Sequence, residues 1–199
     1  MSDALAELLV KDVAAWRRWL RANHAKSDGV WLVLAKKGTT SPTRLTYDEA
    51  LDEALCYGWI DGQARSRDTT TRLQRWTPRR KRSNWSMRNT QIAERLVNGG
   101  RMQPAGLAEM ERAKADGRWA AAYAGPAAVT VPDDLLAALA MRPKAKAMFE
   151  ILSARNRYAV LYRIHDAKRA ETRARRIEQF LEMLAKGETV YPQKQKLPV

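Results

Sequence analysis

From residue 11 to residue 24 apolar side chains recur every three or four positions. Val13, Trp16, Trp19 and Leu20 fall on one face, and Arg17, Arg18 and Arg21 lie between them. That period predicts a helix, with Asp12 as its cap. Ser27-Asp28-Gly29 breaks the pattern, and the short apolar run Gly29-Val-Trp-Leu-Val-Leu-Ala35 predicts a buried central strand. Thr46-Tyr-Asp-Glu49 has the spacing of a capping box, in which the Thr hydroxyl and the Glu carboxylate satisfy each other's orphan amides. The helix it opens buries Ala50, Leu51, Ala54 and Leu55 and stops at Gly58. From Trp59 the period becomes two: Ile60, Gly62 and Ala64 alternate with Asp61, Gln63 and Arg65, which predicts a strand with one small apolar face and one polar face. After Asp68-Thr69-Thr70 the run Thr71 to Thr77 returns as an antiparallel partner, and Pro78 ends it.

The second half reads as helix throughout. Ser83 has N-cap chemistry for a helix from Asn84 to Val97, stopped by Asn98-Gly99-Gly100, with an apolar stripe of Trp85, Ile92, Ala93 and Leu96 that also carries Asn89. A further helix starts at Pro104. Residues 124–132 have linker-like composition, and four helices follow: 132–140, 143–152, 154–165 and 168–186. The predicted fold class is α+β, a small antiparallel sheet of about three strands flanked by helices and followed by an all-helical C-terminal subdomain. The expected domains are residues 1–123 and 132–190, with 191–199 as a loose tail. No internal repeat is legible.

Composition narrows the function classes. With 199 residues, 45% of them hydrophobic, the chain can bury one full core or two small ones. No apolar run is long enough for a membrane span, and residues 1–12 lack a secretory layout, so a cytoplasmic protein without membrane insertion is expected. One cysteine excludes an intrachain disulfide, and two histidines leave a metal site dependent on carboxylates, so neither metal nor cofactor is expected. The net charge of +14 is uneven: residues 1–70 balance ten basic against ten acidic side chains, whereas residues 71–101 carry nine basic ones against Glu94 alone, a net of +8. A clustered excess of this kind attracts anions.

The candidate chemistry lies between Cys56 and Asn89. Cys56 has no histidine near it in sequence and reads as a small buried hydrophobe rather than a nucleophile. Asp61 beside Arg65 reads as an ionised pair rather than a tuned acid. Anion binding is better supported: Arg75, Arg79, Arg80, Lys81 and Arg82 lead into the helix start at Ser83, where free amides and guanidinium groups suit phosphate or carboxylate. The candidate ligand-binding residues are therefore Asp61, Gln63, Arg65, Arg75, Arg79, Arg80, Ser83, Trp85 and Asn89. They converge only if residues 59–67 pair with 71–77.

Several landmarks together resemble the YdeI/OmpD-associated family of small bacterial proteins. They are the Trp-rich first helix with Gly29-Val-Trp-Leu, the run Glu53-Ala-Leu-Cys-Tyr-Gly-Trp-Ile-Asp-Gly62, the block Thr77-Pro-Arg-Arg80 with Ser83-Asn-Trp-Ser86 and Asn89, and the C-terminal Arg163-Ile, Ala167-Lys-Arg169, Glu171-Thr-Arg173, Arg176-Ile and Gly187-Glu. The resemblance extends over nearly the whole chain. It implies a bacteriocin-protection role carried by the C-terminal helical part. A chain of this charge repels cationic peptides, so protection through an anionic ligand is the expectation. The leading expectation is a non-enzymatic stress or protection protein that binds a small anionic ligand or partner at the hairpin–helix junction. One alternative is a nucleic-acid-binding protein using residues 72–101; another is an enzyme acting on a phosphorylated or carboxylated metabolite.

Overall fold

A computed structural model describes residues 5–125 and 128–196. Two compact units are present, one ending at Ala122 and the other beginning at Tyr123. The first holds β1 (Glu7–Leu8), α1 (Val13–Asn23), β2 (Val30–Ala35), α2 (Tyr47–Cys56), β3 (Trp59–Ser66), β4 (Thr71–Pro78), α3 (Met87–Asn98) and α4 (Pro104–Ala115). The second holds α5 (Asp133–Ala140), α6 (Pro143–Glu150), α7 (Ala154–His165) and α8 (Ala170–Ala185). The class is α+β.

The sheet has four strands in the order β1-β2-β4-β3, where about three were expected, and it is mixed. The additional strand, β1, pairs parallel to β2 through Glu7 and Leu8 alone, too short a stretch to leave a period in the sequence. β2, β4 and β3 pair antiparallel, with Val30 opposite Trp76 and Ile60 opposite Thr77. Asp68 shapes the hairpin turn by accepting hydrogen bonds from the amides of Thr70 and Thr71 and from both their hydroxyls, at 2.6 to 3.0 Å. Those bonds, led by the Thr71 hydroxyl, hold the Asp68 carboxyl far below the usual carboxylate range.

One face of the sheet is closed by tryptophans. Trp16, Trp59 and Trp76 are each at most 1% exposed, and the Trp16 ring lies 6.4 Å from Trp59, edge-on, and 6.3 Å from Trp76. Two indoles hydrogen-bond into the backbone: Trp16 Nε1 donates to the Ala50 carbonyl and Trp59 Nε1 to the His24 carbonyl, both at 3.1 Å. A buried indole nitrogen gains from such an acceptor, and these bonds tie α1 to α2 and β3, whereas the buried Trp76 and Trp85 indole nitrogens have no protein acceptor. The capping box forms as expected at Thr46 and Glu49.

Within the second unit, Leu135, Leu139, Met148, Phe149, Val160, Leu161, Ile164, Leu181 and Leu184 form a separate core. The segment expected as a loose tail is anchored in its first part. Asn156, fully buried, donates to the Tyr191 carbonyl and accepts from the Tyr191 amide, at 2.9 and 2.8 Å, and donates again to the Gln193 side chain. Its last three residues, 197–199, lie outside the described residues.

Candidate functional site

The hairpin forms, but it is not regular. Between Asp61 and Ala64 the register slips, so β3 carries one extra residue against β4. Gln74, buried, fixes this bulge by donating its side-chain amide to the Gly62 carbonyl at 2.8 Å. A one-residue bulge reverses which face the following side chains occupy. Asp61 pairs with Trp76 and lies on the tryptophan face, whereas Arg65 pairs with Leu73 and lies on the other. The shared polar face of Asp61, Gln63 and Arg65 therefore does not exist. Gln63 sits exposed within the bulge.

On the tryptophan side Asp61 accepts a hydrogen bond from Tyr47 at 2.9 Å. Burial, followed by the Asp61 charge, pushes the Tyr47 hydroxyl well above its ordinary value, so it stays a donor. The guanidinium carbons of Arg72 and Arg88 each stand 5.5 Å from the Tyr47 ring centroid. On the opposite side Arg65 stacks on Trp31 at 4.0 Å, which leaves that indole only 9% exposed.

The helix that follows starts three residues later than expected. Ser86, not Ser83, is the N-cap of α3: its hydroxyl accepts from the Asn89 amide at 3.2 Å. The Ser83 hydroxyl instead accepts from the Arg80 amide at 3.0 Å, and the Ser83 amide donates to the Arg80 carbonyl, which closes a tight turn. Ser83 lies before α3, which begins at Met87. Ser86→Ala should cost about 1 kcal/mol in the unfolding of the N-terminal unit, while Ser83→Ala should leave α3 intact; chemical denaturation read by tryptophan fluorescence distinguishes the two. A larger loss at Ser83 would contradict the assignment.

Arg79 and Trp85 are buried against each other. The Arg79 guanidinium lies 3.6 Å over the Trp85 ring, Trp85 is 2% exposed, and Trp119 packs against it at 4.8 Å. Asn89 is buried in the first turn of α3. What does come together is Arg75, Arg80 and Ser83, which line an open depression of about 250 Å³ at the open end of the hairpin. Ile60, Gly62, Thr77 and Pro78 complete its wall, and no acidic side chain lines it. Arg75 lies beside Gly62, where an added Cβ would stand 3.6 Å from the Arg75 stem, an ordinary contact, and the buried Arg75 Nε has no protein acceptor. These wall residues escaped sequence reasoning, although the glycine within an alternating strand is a bulge signal.

Elsewhere charge is consumed internally. Glu53, 2% exposed, receives two hydrogen bonds from Arg17 and one from Arg101, at 2.6 to 2.8 Å. Burial alone would raise this carboxyl, but the two arginines outweigh it and hold it below its ordinary value. The neighbouring Cys56 thiol is 2% exposed, and burial, with the Glu53 charge behind it, pushes it up to about 11. It is protonated at neutral pH and unsuited to nucleophilic attack. Among the described residues no three His, Cys, Asp or Glu side chains are grouped as a metal site, and no helix is long and apolar enough to cross a membrane.

No curated protein and no solved structure matches the chain. Two family models do, and they divide it. The model described as bacteriocin-protection, YdeI or OmpD-associated matches residues 128–187, so this similarity is confined to the helical second unit rather than extending along the whole chain. Residues 8–109, which contain the sheet, the hairpin and the Arg75–Arg80 depression, match a different model. The chain belongs to the family described as a domain of unknown function (DUF8412), joined to a bacteriocin-protection, YdeI or OmpD-associated segment.

Proposed function

We propose that this is a non-enzymatic, cytoplasmic protection-type protein whose N-terminal unit binds a small anion, phosphate or carboxylate, in the depression between Arg75 and Arg80. One observation carries the proposal: Arg75, whose buried Nε–H has no protein acceptor, lines this depression together with a second arginine, a serine and no acid. A buried donor without a partner costs about 1–3 kcal/mol, and an anionic acceptor recovers that cost with a charge-assisted bond. Other arginines of the same unit already have carboxylate partners: Arg17, Arg88, Arg95 and Arg101 bind Glu53, Asp48 or Asp52. Arg75 and Arg80 have none in their depression.

Calorimetric titration with inorganic phosphate at low salt tests the site. Arg75→Ala should weaken binding at least about tenfold, and Arg80→Ala by several-fold. Asp61→Asn, on the other face of the sheet, should change affinity less than twofold. Full affinity in an Arg75→Ala/Arg80→Ala double variant would overturn the placement.

A second reading has its own observation. The Arg65–Trp31 stack and Arg75 lie on the same side of the sheet, since Trp31 pairs with Arg75 across the strands. Basic groups interleaved with an aromatic ring suit single-stranded nucleic acid. Tight oligonucleotide binding that falls steeply with salt and is lost in Trp31→Ala, with no response to phosphate, would favour that reading over the small-anion site.

A further inference from the structure

Within the second unit a partly enclosed cavity of about 140 Å³ is lined by Tyr123, Val129, Pro132, Leu161, Tyr162 and His165, with Thr130 and Arg173 also in its wall. An apolar cavity of about this size accommodates a benzene ring. Its aromatic wall is ordered by ring contacts: Tyr162 meets Tyr123 edge-on at 5.0 Å, and Tyr158 stands 5.9 Å from Tyr162. Edge and face positions of this kind are where a further aromatic ring packs best.

The polar groups of the wall define the charge of the ligand. Arg173 would suggest an anion, but all its nitrogens are engaged. Nε and one terminal nitrogen donate to both oxygens of Asp134, at 2.5 and 2.8 Å, and the other donates to the Ile164 carbonyl at 3.0 Å. The guanidinium is thus neutralised in place. Burial, with Tyr123 and Tyr162 nearby, pushes the Tyr158 hydroxyl up to about 12, so that hydroxyl adds no charge beside the cavity at neutral pH. A carboxylate entering the cavity would lose its hydration without gaining a free cation. His165, which is exposed, and the Thr130 hydroxyl remain as hydrogen-bonding groups of the wall.

We propose that this cavity is a binding site for a neutral single-ring aromatic molecule bearing one hydroxyl group, with its ring against Tyr123 and Tyr162 and its hydroxyl at His165. The site belongs to the helical unit and is independent of the Arg75–Arg80 depression.

The test is a titration of the full chain with phenol, benzene and benzoate, followed by nuclear magnetic resonance. Phenol should bind saturably with a dissociation constant below about 1 mM, with cross-peaks from its ring to those of Tyr123 and Tyr162, and benzoate at least about tenfold more weakly. His165→Ala should weaken phenol about fivefold and leave benzene unchanged. Val129→Phe should fill the cavity and abolish binding of both; if that variant misfolds, the His165→Ala comparison and the cross-peaks decide. Arg80→Ala should not affect phenol. No saturation by about 10 mM phenol, equal affinity for phenol and benzoate, or cross-peaks to other rings would each overturn the proposal.

Discussion

Gly106→Ala should destabilise the N-terminal unit by about 3 kcal/mol, near the upper end for a single added methyl group. The cause is the approach of α4 to the end of α2. A Cβ on Gly106 would stand 2.4 Å from the Cys56 carbonyl oxygen, 2.7 Å from that of Leu55 and 2.5 Å from the Met102 sulfur. Two of these contacts are backbone, which cannot swing aside as the end of a side chain can. The same junction is tied by the Gln103 amide donating to the Cys56 carbonyl at 3.1 Å, so α4 cannot retreat without losing that bond. Met110 and Ala113, at most 2% exposed, would be displaced with it. All seven tryptophans precede residue 123, so fluorescence-detected urea unfolding reports this unit alone. The midpoint should fall with little change in slope. A change below about 1 kcal/mol would show that α4 is free to move.

Glu53→Gln should cost about 2–3 kcal/mol and alter the acid limb of stability. Removing one partner of a fully buried ion pair costs about 3–5 kcal/mol, but here the side chains of Arg17 and Arg101 are 53% and 38% exposed and can turn to water, so the lower figure applies. The sign of the pH effect follows from the direction of the shift. The Glu53 carboxyl is held below its ordinary value of 4.5, so its contribution is fully present above that pH and is lost as pH falls through the folded-state value. Wild-type stability should therefore decline below about pH 4.5, and the Glu53→Gln variant should decline less steeply there. Identical acid limbs in the two proteins would contradict the role of the carboxylate. Because Arg101 also binds Asp52, as does Arg95, the loss should extend to the anchoring of α3 against α2.

The elements that were legible in the sequence are those with a sustained period. The α1 stripe of Trp16 and Leu20, the apolar β2, the Thr46–Glu49 box and the apolar faces of the four C-terminal helices all follow from alternation or three-to-four spacing. The hairpin was legible too. Its facing was not, because a bulge is a single extra residue that leaves the alternating letters unchanged while reversing the side chains beyond it. Asp61 and Arg65 consequently part to opposite sides of the sheet.

The helix start was misplaced for a related reason. Ser83 and Ser86 have the same capping chemistry and stand three residues apart, and local pattern cannot choose between them. Tertiary packing chooses. Trp85 is drawn into the core under Arg79 and beside Trp119, and Ser83 is spent on the turn with Arg80, so the helix begins only at Met87. Of the nine candidate residues, Arg75, Arg80 and Ser83 line one depression; Arg79, Trp85 and Asn89 are buried as support.

The central claim is that the buried Nε–H of Arg75 is a binding group. Its most direct test follows the arginine Nε–H resonances of the intact protein during titration with inorganic phosphate. The predicted result is a saturable downfield shift of Arg75, accompanied by a shift of Arg80 that is lost in Arg75→Lys, with Arg17 and Arg101 unmoved. Saturation that shifts Arg65 or Arg88 while Arg75 stays fixed would contradict the claim.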